Sequence, residues 1–420
     1  MNISYLPPLT LYIHFPWCVQ KCPYCDFNSH GLQKTNGQKL DQYKSNYKFP
    51  EDEYIGALLK DLEEELPAVW GRSISAIFIG GGTPSLMSAD NMERLLSGVR
   101  ARLPFLSDIE ITMEANPGTV EAKKFSGFYQ AGVNRISIGI QSFENQFLKT
   151  LGRIHNENEA AQAFHIARNA GFNNINIDLM YALPNQSIEQ ALQDLTKAIE
   201  LKPEHLSWYQ LTLEPNTAFH HSPPKNMADD DRVADISERG LSLLKENNYC
   251  RYEVSAFSLN GKKNCWHNTN YWQFGDYIGI GAGAHGKITR ADTQEITRTS
   301  KKRNPKDYLN LKKLNLEKPF IDKTYSLSAE QIPFEFMLNA LRLVDGVEAS
   351  SFYERTGIIN HHIESNLNKC RDRELIVADK NKIQTTELGF QYLNEVLSEF
   401  SDKHFFHLNN HNKIEIKEII

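Results

Sequence analysis

From residue 10 to about residue 215 the chain alternates two patterns, and this alternation restricts the fold more than any other feature. Short runs rich in β-branched and aromatic residues occur at 10–15, 76–79, 109–114, 135–140, 175–180 and 206–213. Helical periodicity fills the spaces between them. It is clearest in EYIGALLKDLEEEL, where Tyr54, Ile55, Leu58, Leu59, Leu62 and Leu66 share one face. Further helices are predicted to start near Ala89, Val120, Glu157 and Ile188. Six β-α units in series imply an α/β protein with a parallel sheet and right-handed crossovers. A doubly wound sheet satisfies the alternation alone. A partial (β/α)6 barrel also accounts for where the unusual residues lie.

In a barrel, chemistry collects at the C-terminal ends of the strands. Here CVQKCPYC, with Cys18, Cys22 and Cys25, follows the first strand, and GGGT, ending at Thr83, follows the second. Glu114 closes the third strand and Gln141 follows the fourth. Asp178 is expected near the end of the fifth and Thr212 near the end of the sixth. A chain folded only for core stability has no reason to place them so. Each also has a plain reading. GGGTP can be a tight turn, and Glu114 or Asp178 a solvated loop carboxylate.

The cysteines narrow the chemistry. Three of the six crowd into residues 18–25; the others are Cys250, Cys265 and Cys370. The start, MNISYLPPLT, has no basic stretch followed by an apolar run, so no secretory signal is expected. The cluster of cysteines then reads as a metal site in a reducing cytoplasm. Three thiolates leave one corner of a [4Fe–4S] cluster open. Zinc with His14 or His30 as fourth ligand is an alternative. A redox dithiol at CPYC is another, although such pairs sit at a helix N-terminus. An open iron takes a small chelate with an amine and a carboxylate, and the methionine part of S-adenosylmethionine has both. Gly81 and Gly82 then receive the amine near their carbonyls, Glu114 the ribose hydroxyls and Arg153 the carboxylate.

With 420 residues the chain exceeds one ordinary core, so a large domain and a smaller one are expected. A net charge of −6 speaks against a nucleic-acid partner. No stretch approaches the roughly 18 consecutive apolar residues of a membrane span. We expect the barrel over residues 1–235, a barrel extension and linker over 236–327, and a mostly helical, winged-helix-like domain with a tail over 328–420. Residues 31–48 read as a polar surface loop, and 220–231 as a second break. A helix is predicted around 233–246, a strand at RYEVSAF (251–257), and a short β pair near 376–385 in a part otherwise without strands. The tail 403–420 receives no assignment.

YIHFPWCVQKCPYCDFNSH, GGGTPS, EANPGT, RISIGIQSF, LGRIH and DLMYALPNQ together resemble the oxygen-independent coproporphyrinogen III oxidase family of radical S-adenosylmethionine proteins. The resemblance runs from about Leu11 to His285 and continues into a family-like C-terminal domain. It implies a [4Fe–4S] cluster on Cys18, Cys22 and Cys25, with Tyr24 as the aromatic residue inside the motif. It implies that Tyr12 lies beside S-adenosylmethionine, that Gly81, Gly82 and Thr83 meet its methionine part, and that Glu114 meets its ribose. Gln141, Arg153 and Asp178 match positions at a second S-adenosylmethionine or at the edge of the first, and Thr212 joins them as a candidate. In that family the reduced cluster breaks the C5′–S bond of the sulfonium and leaves a 5′-deoxyadenosyl radical.

Two departures separate the chain from the oxidases. Phe27 stands where they carry a further cysteine, and the first cysteine is already residue 18, without their N-terminal extension. Both features resemble the heme chaperones of the family, as does HNTNYW (267–272), which fits their HNxxYW pattern. That resemblance implies heme as a ligand, with His267 as axial ligand and Tyr271 and Trp272 stacking on the porphyrin. A histidine hydrogen-bonded in a packed loop is the plain reading. It further implies delivery of heme to haemoproteins, membrane respiratory enzymes among them; a homodimer is a separate expectation. The alternatives are a coproporphyrinogen III dehydrogenase, which decarboxylates two propionates, and a radical enzyme acting on RNA.

Overall fold

The computed structural model describes residues 1–32, 49–118, 122–310 and 318–401. The surface loop expected at 31–48 therefore lies mostly outside the described residues, as does the tail. Strands follow the six β-rich runs: β1 Leu9–Phe15, β2 Ile74–Gly81, β3 Phe105–Ala115, β4 Arg135–Gln141, β5 Ile175–Tyr181 and β6 His205–Gln210. They lie side by side in chain order, all parallel. A doubly wound sheet reverses its strand order midway, so this is the order of a partial (β/α)6 barrel. The helices between them include α1 Glu51–Glu65, α2 Ala89–Arg100, α3 Phe125–Gln130, α4 Glu157–Asn169 and α5 Ile188–Glu200, with a short helix Asn145–Thr150 ahead of α4. Capping boxes, Asn156 with Glu159 and Ser187 with Gln190, fix the starts of α4 and α5.

Each strand has two faces. Ile13, Ile79, Met113, Ile138 and Ile177 are fully buried in the core shared with the helices. The alternate positions carry Tyr12 and His14, Glu110 and Glu114, Arg135 and Ser137, Asn176 and Asp178, and His205, Ser207 and Tyr209. Barrel interiors are ordinarily filled by branched apolar residues. A polar interior is tolerated only when its groups find partners, and here most of them bond one another.

The helix predicted at 233–246 is α6, Asp230–Glu246, which packs on α5. It crosses the boundary expected at 235/236, so the barrel unit continues past that point. Of the expected break at 220–231, His220 and His221 close a short helix and Asp230 and Asp231 open α6. The strand predicted at 251–257 is a hairpin, β7 Tyr249–Glu253 and β8 Ala256–Leu259. Glu253 Oε1 accepts from the Ser255 N–H at 3.2 Å and closes the turn. Beyond it lies α7, Trp266–Trp272. On the other side of β1 the sheet continues through β9 Asp276–Ile280, parallel, then β10 His285–Arg290, β11 Glu295–Lys301 and β12 Ile321–Ser326, antiparallel. The C-terminal part starts with α8, Gln331–Ala340. Ile376 bridges Thr385 as predicted, but Val347–Glu348 also pairs with Lys382–Ile383, so this part is not free of strands. Its helices share a second core with Ile3, Trp272, Phe274 and Ile296. Among the described residues no helix is long and apolar enough to cross a membrane.

Candidate functional site

The loop after β1 is tied back onto the barrel rim. Trp17–Cys18 pairs with His30–Gly31, the Gly82 N–H donates to Phe15 O at 2.6 Å, and the Thr83 N–H donates to Trp17 O at 2.8 Å. Gly81 has φ 107°, and a Cβ there would meet the His14 ring at 2.4 Å. A Cβ on Gly82 would meet Trp17 O at 2.6 Å. Close backbone packing thus accounts for both glycines, as the plain reading has it. The Gly81 N–H donates to Glu114, so all three N–H groups of this turn are engaged internally. What the glycines can offer a ligand is carbonyl oxygen.

Cys18, Cys22 and Cys25 are free thiols, each half-buried, and each has its own polar partner. Thr83 Oγ1 lies 3.4 Å from Cys18 Sγ, Arg153 Nη1 3.8 Å from Cys22 Sγ, and Ser29 Oγ 3.6 Å from Cys25 Sγ. A donor at Cys18 and at Cys22, and a hydroxyl able to donate at Cys25, suit thiolate ligands of a cluster. Among the described residues no three His, Cys, Asp or Glu side chains are gathered to hold a single metal ion. The redox reading fares worse, and of the two histidines offered to zinc His14 is already engaged. No helix begins between residues 18 and 29, so the CPYC pair lacks the dithiol setting. His14 has both ring nitrogens engaged, with the Tyr12 hydroxyl and with Asn28 O, each at 3.0 Å. His30 Nε2 is buried without a hydrogen-bond partner.

Beneath the loop lies the polar lumen. Glu114 Oε2 accepts from Gly81 at 3.0 Å; enclosure first, then the nearby Asp178 charge, pushes its carboxyl up to about 7. Asp178 sits mid-strand in β5, not near its end, and accepts from Ser137 at 2.9 Å and Asn176 at 2.8 Å. Gln141 adopts φ 69° and accepts from the Tyr209 hydroxyl at 2.8 Å. A non-glycine residue keeps that conformation only where its surroundings hold it. Arg153 Nη2 donates to Asn116 Oδ1 at 2.7 Å and to Gly139 O at 2.6 Å, while its Nε is buried without a partner. Tyr12, Phe78 and His267 form a three-ring cluster: the Tyr12 centroid lies 6.3 and 6.1 Å from the other two, which are 5.3 Å apart. Tyr24 leans on Phe219 at 6.5 Å. Thr212 lies past the end of β6, exposed, and donates to Glu214 at 2.7 Å. Asn116, Ser137, Asn176 and Tyr209 were not singled out from the sequence. Except for Asn116, the signal was present as the alternate positions of β4, β5 and β6.

The heme face expected at 267–272 takes a different form. HNTNYW is not a loop but most of α7, which lies against β1 and β2. Asn270 Nδ2 donates to Asp276 O at 3.0 Å and the Trp266 N–H to Glu110 at 2.9 Å. His267 is 6% exposed, enclosed with Tyr12 and Phe78, and burial pushes its imidazole down to about 3. Tyr271 stacks on Tyr277 at 4.6 Å. Successive helical residues turn by about 100°, and this carries Trp272 into the second core, where Arg342 stacks over it at 4.3 Å. Tyr271 packs against the same core and meets Trp272 edge to face, with centroids 5.2 Å apart.

A parallel partial barrel with three donor-flanked thiols above its C-terminal rim is the architecture of the radical S-adenosylmethionine class. Residues 12–198 match the model of the Radical SAM superfamily, and residues 327–392 that of the HemN C-terminal domain. The heme chaperone HemW of Escherichia coli (strain K12) is 48% identical over 395 residues, covering 94% of this chain and 98% of its own. The heme chaperone HemW of Bacillus subtilis (strain 168) is 33% identical over 401 residues, with 93% and 98% covered. The chain belongs to the HemW heme chaperone family. The solved coproporphyrinogen III oxidase HemN of Escherichia coli superposes with TM-score 0.76 over 95% of this chain and 91% of that one, at 22% identity, which is a likeness of fold.

Proposed function

We propose that the protein is a heme chaperone that takes up heme in the cytoplasm and passes it to haemoproteins, membrane respiratory enzymes among them. The observation that carries this reading is the 48% identity to a protein named heme chaperone, over nearly the full length of both chains. Phe27, 57% exposed at the cysteine loop, stands where the oxidases are expected to carry a further cysteine, and agrees with it.

Cys18, Cys22 and Cys25 would hold a [4Fe–4S] cluster, and the lumen below would hold S-adenosylmethionine. Together these groups supply one-electron reduction of a sulfonium when bound. The chain's own residues do the rest. Thr83 and Arg153 direct donors at Cys18 and Cys22, and the Ser29 hydroxyl would donate to a Cys25 thiolate. Gly81 and Gly82 present carbonyls, Glu114 an acceptor suited to two hydroxyls, and Arg153 a guanidinium suited to a carboxylate. Tyr12, Gln141 and Asp178 line the chamber and exclude water from it. Tyr24 and Thr212 stand at its margin. The reading leaves α7 out of the heme site, because His267 and Trp272 are enclosed.

The test is a heme titration beside an anaerobic assay with coproporphyrinogen III. A saturable shift of the Soret band without formation of protoporphyrinogen IX is expected. Turnover of coproporphyrinogen III would transfer the protein to the dehydrogenase reading.

A further inference from the structure

We propose that Asn116 is a positioning residue that fixes the direction of the hydrogen bonds reaching Cys18 and Cys22; this rests on the cluster reading above. Its amide lies between two residues that themselves face the thiols. Oδ1 accepts from Arg153 Nη2 at 2.7 Å and Nδ2 donates to Thr83 Oγ1 at 3.1 Å. A guanidinium only donates, so the amide oxygen must face Arg153 and the NH2 group must face Thr83. The Thr83 hydroxyl has one hydrogen. Receiving Asn116 on a lone pair, it keeps that hydrogen for Cys18 Sγ, 3.4 Å away. The same guanidinium aims Nη1 at Cys22 Sγ, 3.8 Å away.

Polarity is therefore uniform along the chain of bonds. It runs from Arg153 through Asn116 and Thr83 to one thiol, and from Arg153 directly to another. Asn116 is itself anchored, its backbone N–H donating to the fully buried Ser85 at 3.3 Å. Its consequence for a cluster follows from charge. Hydrogen bonds to the ligating sulfurs favour the more negative, reduced state and raise the reduction potential. A reversed Thr83 hydroxyl would remove one of them.

The test uses Asn116→Asp and Thr83→Val in the full chain, reconstituted anaerobically. The Asp variant keeps the shape and the acceptor for Arg153 but replaces the donor opposite Thr83 by an acceptor. The hydroxyl hydrogen then turns to the carboxylate and away from Cys18. Both variants are expected to shift the cluster midpoint to more negative potential at full iron content. The double variant is expected to shift it by less than the sum, because both changes remove the same bond. Additive shifts would mean that the Asp charge acts alone and would overturn the proposal. So would an unchanged midpoint in Thr83→Val, which stands whether or not the Asp variant folds. Failure of the unaltered chain to take up iron would instead remove the cluster reading beneath it.

Discussion

The Glu114 carboxyl sits among groups that oppose its charge, and its value of about 7 lies above the ordinary 4.5. A folded-state value raised above the unfolded one gives stability that is fully present below about 4.5. It is lost as pH rises through about 7. In the protein without S-adenosylmethionine, Glu114→Gln is therefore expected to flatten part of the decline in thermal midpoint between those values. Binding carries the opposite sign. Two ribose hydroxyls need an ionised acceptor, so affinity for S-adenosylmethionine is expected to rise across neutral pH in the native chain. In the Gln variant it stays flat. Isotherms on both sides of neutrality check this, and parallel pH profiles in the two proteins would show that Glu114 does not meet the ligand. Glu114 was legible because EANP closes a β-rich run beside other unusual residues. Asn116, two residues on in the same motif, was not. An asparagine gains its role from what lies across the barrel, Thr83 on one strand end and Arg153 beyond another.

At the scale of elements, α7 shows where pattern and environment part. Its sequence, WHNTNYW, is made of residues with indifferent helix propensity, so nothing local announces a helix. Contacts with Thr10, Glu110, Phe78 and Asp276 hold it in place. The hairpin β7–β8 was missed for a related reason. Its turn at Val254 and Ser255 contains no Gly, Pro or Asn and is closed by the Glu253 side chain. The placement of α7 yields two expectations. Trp272→Ala removes a buried indole and should lower stability to urea by about 3–5 kcal/mol. His267 is held neutral by burial, well below its ordinary 6.5. Its contribution is present above 6.5 and lost as pH falls towards about 3. His267→Phe is expected to reduce the loss of stability on mild acidification, while the spectrum of bound heme stays the same. A changed Soret band in that variant would return His267 to the heme site.

The molecule as a whole is less divided than its sequence suggests. The change to a mostly helical pattern near residue 328 was visible, because helical spacing takes over from β-rich runs there. The sharing of a core was not, because its members come from distant places: Ile3, Trp272, Phe274 and Ile296 join the helices after Leu327. Two further ties cross the same junction. Arg298 pairs with Glu335 at 2.7 Å, both side chains 5% exposed, and Glu253 bridges Leu343 by backbone. A C-terminal part bound in this way cannot unfold without uncovering Trp272 and Ile296 on the barrel side. The cluster-free protein is therefore expected to melt in one calorimetric transition, with van't Hoff and calorimetric enthalpies in agreement. Removing one partner of a buried ion pair costs about 3–5 kcal/mol. Glu335→Ala should accordingly move the whole transition down and keep it single. Two resolved transitions in the unaltered chain, the second with the heat of a barrel alone, would mean that the junction is too weak to couple them and that the 328 boundary separates independent units.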